Sequence, residues 1–343
     1  MTSMIPLFRA FTAVLLCALL SGCGSIENLM YRNTGHIMQG LSKKHTTPYL
    51  LQQSDVAMSC AMAEATTPLM LSFGRVTDTP DQLGVIMQLS AAGCAEERAL
   101  EARLAYHRHL HQRRPAEARD AQFAAREHLV RAAERYHQAW KHLNAHYGAV
   151  GEGDCPLGQF EQPLDEFIYL SGLLAGLQAM NAQVQSAVHG GIPGNIPGRA
   201  ARGAECLQDD RWWGVPGAIQ ATVWSLLDNA PQGVDPFERL EAADRKGEEA
   251  GVRLSHVLHA LAAENAGERE RVRAVLRRHA EAIQEPAHPD WVMVDSTATA
   301  RIKALSHLLW TQARGHRTPT GALGTFWDDP SPQQEEIPLE ALM

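Results

Sequence analysis

The sequence predicts an all-α fold, built of helical hairpins with tetratricopeptide-like packing in a single compact helical array. Three observations carry this. From Pro48 almost to the end, apolar residues recur at helical spacing. The breaks between those runs hold helix start and stop signals, among them Ser54-Asp55, Pro80-Asp81, Tyr147-Gly148 and Asp235-Pro236. Nowhere is there the sustained alternation of a half-buried strand. At 343 residues the chain is long enough for one large domain or two modest ones with a proper core.

Taken in order, Ser54-Asp55 can cap a run through Ala57, Met58, Ala61, Met62 and Ala65 to about Phe73, with Pro68 inside it. The turn Thr77-Asp78-Thr79 leads through Pro80-Asp81 into a second helix, which runs through Leu83, Ile86, Leu89 and Leu104 to about His111. Pro115 opens a third, charged on one face and closed at Tyr147-Gly148. The stretch from Gly151 to Pro163 is a break. A very apolar helix follows from Leu164 to about Val188, and its Gly172 and Gly176 have the spacing used for close helix packing. After the turn from Gly190 to Pro197 come a short helix around Cys206 and the cluster Asp209-Asp210-Arg211-Trp212-Trp213-Gly214-Val215-Pro216. A helix through Ile219, Val223, Trp224 and Leu227 is next. Short hairpins then span Phe237 to Lys246, Val252 to Ala263 and Glu268 to Ile283, and Asp295-Ser296 can start a last helix. The expected organisation is a leader over 1–22, N-terminal hairpins over 23–150, a helical remainder of the same domain over 151–315, and a tail over 316–343. That tail is rich in Pro, Gly and acids and is expected to be disordered.

The leader is a short export signal. Arg9 is its only charge, Phe11 to Leu20 is uninterrupted apolar and small residues, and Leu20-Ser21-Gly22-Cys23 closes it. The run is too short to span a membrane, which takes roughly 20 apolar residues. Its close resembles the lipobox of bacterial lipoproteins, which implies that Cys23 carries lipid and becomes the mature N-terminus. By the same resemblance Gly24, where an inner-membrane retention signal would place Asp, implies the periplasmic face of the outer membrane. With Cys17 removed and Cys23 lipidated, Cys60, Cys94, Cys155 and Cys206 remain, an even number suited to two disulfides in an oxidising compartment. Cys60 and Cys94 straddle Thr77 symmetrically, so antiparallel helices of equal rise bring them opposite one another. Cys155 and Cys206 pair by elimination. The alternative is four buried free thiols.

The formal net charge of −8 and the lack of a long basic run speak against nucleic-acid binding. His107 and His111, and His142 and His146, lie one helical turn apart, a spacing that can chelate a metal. The hairpin geometry keeps the two pairs apart, so exposed or capping histidines are expected there, and likewise at His256 and His259; no metal or other cofactor is expected. No GxSxG, SxxK or phosphate-cradling loop is present, and no catalytic activity is expected. The best small-molecule site is Arg211 with Trp212, Trp213 and Trp224, since an Arg fork between aromatic walls suits an organic carboxylate. The competing reading makes the two adjacent tryptophans core plugs at a corner, with Arg211 paired to Asp209 or Asp210. Arg32, His36 and Tyr49, near the anchored end, are further candidate contacts.

Trp140-Lys-His-Leu143-Asn144-Ala-His-Tyr147 fits the opening of a tetratricopeptide repeat, with Asn at the Gly position, but Pro156 and Pro163 interrupt its second half. Several stretches in order after the lipobox carry a wider likeness. They are Leu29-Met30-Tyr31-Arg32, Thr34-Gly35-His36, Pro48-Tyr49-Leu50-Leu51, the segment around Cys60 and Glu64, and Arg211-Trp212-Trp213-Gly214-Val215-Pro216. To about Ala280 the chain resembles the T-component lipoproteins associated with TRAP transporters. That resemblance implies a helical, non-enzymatic lipoprotein able to form a homotrimer with a ligand-accessible pore. It also implies the transporter's periplasmic solute-binding protein as partner and a small organic acid as ligand. The alternative is a helical-repeat envelope scaffold that binds only protein partners.

Overall fold

The computed structural model describes residues 27–188 and 190–330; the expected signal and Cys23 lie outside them. Among the described residues there are helices, turns and loops and no strand, so the fold is all-α. They form two compact units. The first comprises 27–95, 131–184 and 190–207; the second comprises 96–130, 185–188 and 208–330. This division does not fall in the break after Gly151. It falls within the two long helices, because each of them contributes one stretch to each unit.

The first unit starts with α1 (27–41), whose sequence up to His36 is not strongly periodic, and continues through a π-helical turn at Ser42–Thr46 into α2 (Thr47–Leu51). Helix α3 (Val56–Ser72) starts as its capping residues predict, with the Asp55 carboxylate accepting from the Met58 amide at 2.8 Å. Pro68 sits inside α3. The start of α4 (Asp81–His111), the end of α5 (Pro115–Tyr147), all but the last two residues of α6 (Pro163–Ser186), and α7 (Ile196–Ala204) complete it, with α4 and α5 ending at their predicted residues. Both disulfides form as read from the sequence, Cys60–Cys94 and Cys155–Cys206, with Cα separations of 5.5 and 5.3 Å.

The paired glycines of α6 have a specific task. A Cβ on Gly172 would come within 2.5 Å of Leu143, and one on Gly176 within 2.5 Å of Trp140. These two α5 side chains are the Trp and Leu of the repeat-like opening, and they fill the holes that the glycines leave. Asn144, standing where the repeat pattern has Gly, is also explained. Its side chain donates to Trp140 O, and accepts from the Val150 amide and from Arg199, closing the loop after α5. A buried polar knot ties four segments together. Asp165 accepts from Lys43, Gln82 and the Gln162 amide, while the Tyr147 hydroxyl donates to Asp165 O at 2.8 Å. Burial pushes the Tyr147 hydroxyl well above its ordinary pKa, and its neighbour Tyr169 up to about 12, so both are neutral donors at any physiological pH.

The second unit contains α8 (Val215–Leu227), α9 (Pro236–Ala250), α10 (Leu254–Asn265), α11 (Arg269–Ala282) and α12 (Val292–Arg314). Helix α10 is its axis, packed on α8, α9, α11 and α12. Two expectations change here. The last helix begins at Val292 rather than at Asp295, because Asp295 is buried in an ion pair with Arg253 and does not cap. Residues 316–330, expected to be disordered, are folded onto α11 and α12. Phe326 is buried in the core, Trp310 donates to Thr325 O at 3.0 Å, and Arg273 and Arg277 pair with Asp328 and Asp329. Phe326 and Trp327, with Leu323 packed beside them, supplied enough apolar area to anchor it.

Candidate functional site

The tryptophan pair predicted as a ligand wall is enclosed. Trp212 and Trp213 are buried and pack edge-on against each other and against Trp291, with centroids 5.1–5.7 Å apart. Their aromatic faces are therefore taken by protein. They sit in a tight corner before α8: Trp213 and Gly214 both have positive φ, and a Cβ on Gly214 would lie 2.7 Å from Ala243 Cα. Arg211 is exposed, with its guanidinium 5.9 Å over the Trp212 ring. Asp209 and Asp210 converge on Lys246, each at 2.6 Å, and Asp209 also accepts from the Gly217 amide at the start of α8. Trp224 is half-buried on α8. Arg32, His36 and Tyr49 are exposed residues of the first unit.

The histidines divide in two. His142 pairs with Asp81 at the start of α4, and His111 meets Gln312 O at 3.0 Å. His256 and His259, expected to be exposed or capping, are buried, because α10 is surrounded by other helices. His259 Nδ1 lies 2.6 Å from Asp244 Oδ2, His256 Nδ1 lies 3.2 Å from His279 Nδ1, and His279 Nε2 reaches Thr299 Oγ1. No group of three or more His, Cys, Asp or Glu able to hold a metal occurs among the described residues.

Burial holds His279 down to about 3, with His256, Arg253 and Lys303 adding to the effect and Glu248 opposing it. The Glu248 carboxyl is held at about 2, against the cost of its burial, by Arg278 and His256. In both cases the unfolded chain takes up a proton that the folded chain refuses. Stability is therefore full above about pH 6.5 and falls as pH drops towards 3, first through His279 and below about pH 4.5 through Glu248 as well. One refused proton gives a slope of at most about 1.4 kcal/mol per pH unit. Burial lowers His107, His137, His146 and His307 in the same direction, so urea unfolding between pH 7 and pH 5 should show at least this slope, and His279→Asn should reduce it by about one proton's worth whatever that variant does to absolute stability. An unchanged slope in the variant would assign the proton elsewhere.

A cleft of about 550 Å³ opens in the second unit among the end of α10, the start of α11, the end of α12 and the folded tail. Its floor is apolar: Ala263, Val272, Leu305, Leu309 and Ala313, with Trp327 as a wall. The rim carries Glu264, Arg269, Arg273 and Gln312. Arg273 is held by Asp328 at 2.9 Å and stacks near Phe326 and Trp327, while Glu264 faces Arg103 electrostatically. Arg269 makes no ion pair among the described residues. It stands in the first turn of α11, where unpaired backbone N–H groups favour an anion. The arrangement offers a cation beside an aromatic wall above an apolar floor, in a cleft of ordinary small-ligand size. Sequence reasoning missed it, because its lining comes from three helices and a tail read as unstructured.

The chain matches no protein-family model, and no curated protein or solved structure is significantly similar to it.

Proposed function

We propose that this chain is a lipid-anchored, non-catalytic accessory component of a TRAP-type solute uptake system. It sits on the periplasmic face of the outer membrane, where it binds a small organic carboxylate and docks the solute-binding protein. The cleft beside Arg269 carries the reading: it pairs an uncompensated arginine with an aromatic wall, the combination suited to an organic acid. Two disulfides suit an exported chain, and the motifs shared with T-component lipoproteins supply the system. Binding in an open cleft gives modest affinity, which hand-off requires.

The mature chain without its lipid is titrated with succinate while tryptophan fluorescence is followed, and is used in parallel to capture partners from periplasmic extract. Arg269→Ala is expected to weaken succinate binding about tenfold or more, the worth of one charge-assisted contact, with Arg269→Lys intermediate. Equal binding by the alanine variant would move the site elsewhere. A TRAP-type solute-binding protein should dominate the captured material; recovery only of assembly factors or cell-wall enzymes would favour the scaffold reading.

A further inference from the structure

Helix α1 is amphipathic the wrong way round for a soluble protein. Its inward face is small and polar, Gly35 and Gln39 at successive helical turns, and Ser42 of the π-helical turn that follows continues it. Gly35 leaves room for Thr77 and Phe73, Gln39 donates to Thr77 Oγ1 at 2.8 Å, and Ser42 lies against Met70. Its outward face holds Met30, Ile37 and Leu41, spaced to fall on one stripe and exposed by 63%, 68% and 47%. Apolar side chains normally turn inward, so this stripe needs an apolar environment outside the unit.

The proposed anchor and the local charge say what that environment is. Cys23, which the functional reading lipidates, precedes the first described residue, Glu27, by four positions, so an extended chain places the start of α1 within about 14 Å of that cysteine. The charge balance over 27–51 also runs against the rest of the chain: Arg32, Lys43 and Lys44 stand against Glu27 alone, in a protein of net −8. Lys43 is held by Asp165, which leaves Arg32 and Lys44 at the surface. A basic helix with an apolar outer stripe, tethered at its start to a bilayer, has the make-up of an interfacial helix. Beside it, Val56–Arg75 is long and apolar enough to cross a membrane and exposes Met58 and Leu69. It is held to the unit instead, by Cys60–Cys94 and by the Glu64–Arg135 pair.

We propose that α1 lies in the surface of an anionic bilayer as a second membrane contact. Met30, Ile37 and Leu41 sit at the acyl boundary, while Arg32, which lies off that stripe, and Lys44 add longer-range attraction to the anionic surface. The proposal rests on the lipid anchor of the functional reading, but its test does not. The full mature chain from Gly24, which carries no lipid, is floated with vesicles of phosphatidylcholine alone and of phosphatidylcholine with phosphatidylglycerol. The chain should float with the anionic vesicles. The triple variant Met30→Ser, Ile37→Ser, Leu41→Ser should float at least tenfold less. Arg32→Glu with Lys44→Glu should remove the preference for phosphatidylglycerol. These side chains are exposed, and an unchanged circular dichroism melt confirms that the variants are folded. Absence of flotation, or flotation of the serine variant equal to the parent, overturns the proposal. So does a concentration-dependent dimer that the serine variant abolishes, since the stripe would then belong to a second copy. Whether Cys23 is acylated in cells, read by labelled palmitate, is decided separately, so the anchor and the helix can fail independently.

Discussion

Replacing Asp295 with alanine is expected to cost the second unit about 3–5 kcal/mol, the penalty for stranding one partner of a buried ion pair. Asp295 takes both the Arg253 amide, at 2.8 Å, and the Arg253 guanidinium, at 2.9 Å. Arg253 is only 1% exposed, and its remaining polar contact is with Glu285 O at 2.8 Å. Without the carboxylate a full positive charge stays inside the bundle with one carbonyl for company, and the backbone amide preceding α10 loses its acceptor as well. Six of the seven tryptophans lie in this unit, only Trp140 being in the other, so tryptophan fluorescence in urea reports on it directly. Asp295→Asn keeps the shape and an acceptor and should fall between. The double variant Arg253→Met, Asp295→Leu should cost clearly less than the sum of its single changes, because both charges leave together. A loss below about 1 kcal/mol for Asp295→Ala would mean that water reaches the guanidinium and that the pair is weak.

Removing either disulfide should be nearly as damaging to the first unit. The bridges join residues 34 and 51 positions apart, and loop closure in the unfolded chain assigns each about 4 kcal/mol. For a unit of this size that is a fall of about 10 °C in Tm. The two should differ in kind. Cys60–Cys94 fastens α3, much of whose surface is exposed, so Cys60→Ser with Cys94→Ser should speed hydrogen exchange across α3 ahead of the rest of the unit. Cys155–Cys206 joins the loop after α5 to the second residue beyond α7. Arg199 and Arg202 already bind the carbonyls of Val150 and Gly151 in that loop, so local order there should survive better than α3 does. Uniform exchange behaviour in the two double variants would show that the unit unfolds as one block.

The sequence by itself determined the helices, because spacing, capping residues and breakers act within a turn or two of the chain. Asp55, Pro115 and the glycine after Tyr147 mark boundaries where the structure has them. It determined the Cys60–Cys94 bridge too, since two helices joined by a short turn admit one register. Only the tertiary structure decided burial and the clefts. Nothing near Trp212 and Trp213 in the chain announces that Trp291 will cover them. Nothing around His256 and His259 shows that α10 will be enclosed, turning ordinary helix histidines into buried partners of His279 and Asp244. The Arg269 cleft needed residues 316–330 to fold back onto α11 and α12, and the outward stripe of α1 could be recognised only once its polar face was seen turned inward. Local signals set where a helix runs. Which of its faces meets protein depends on partners many residues away, and a pattern within one helix carries no record of them.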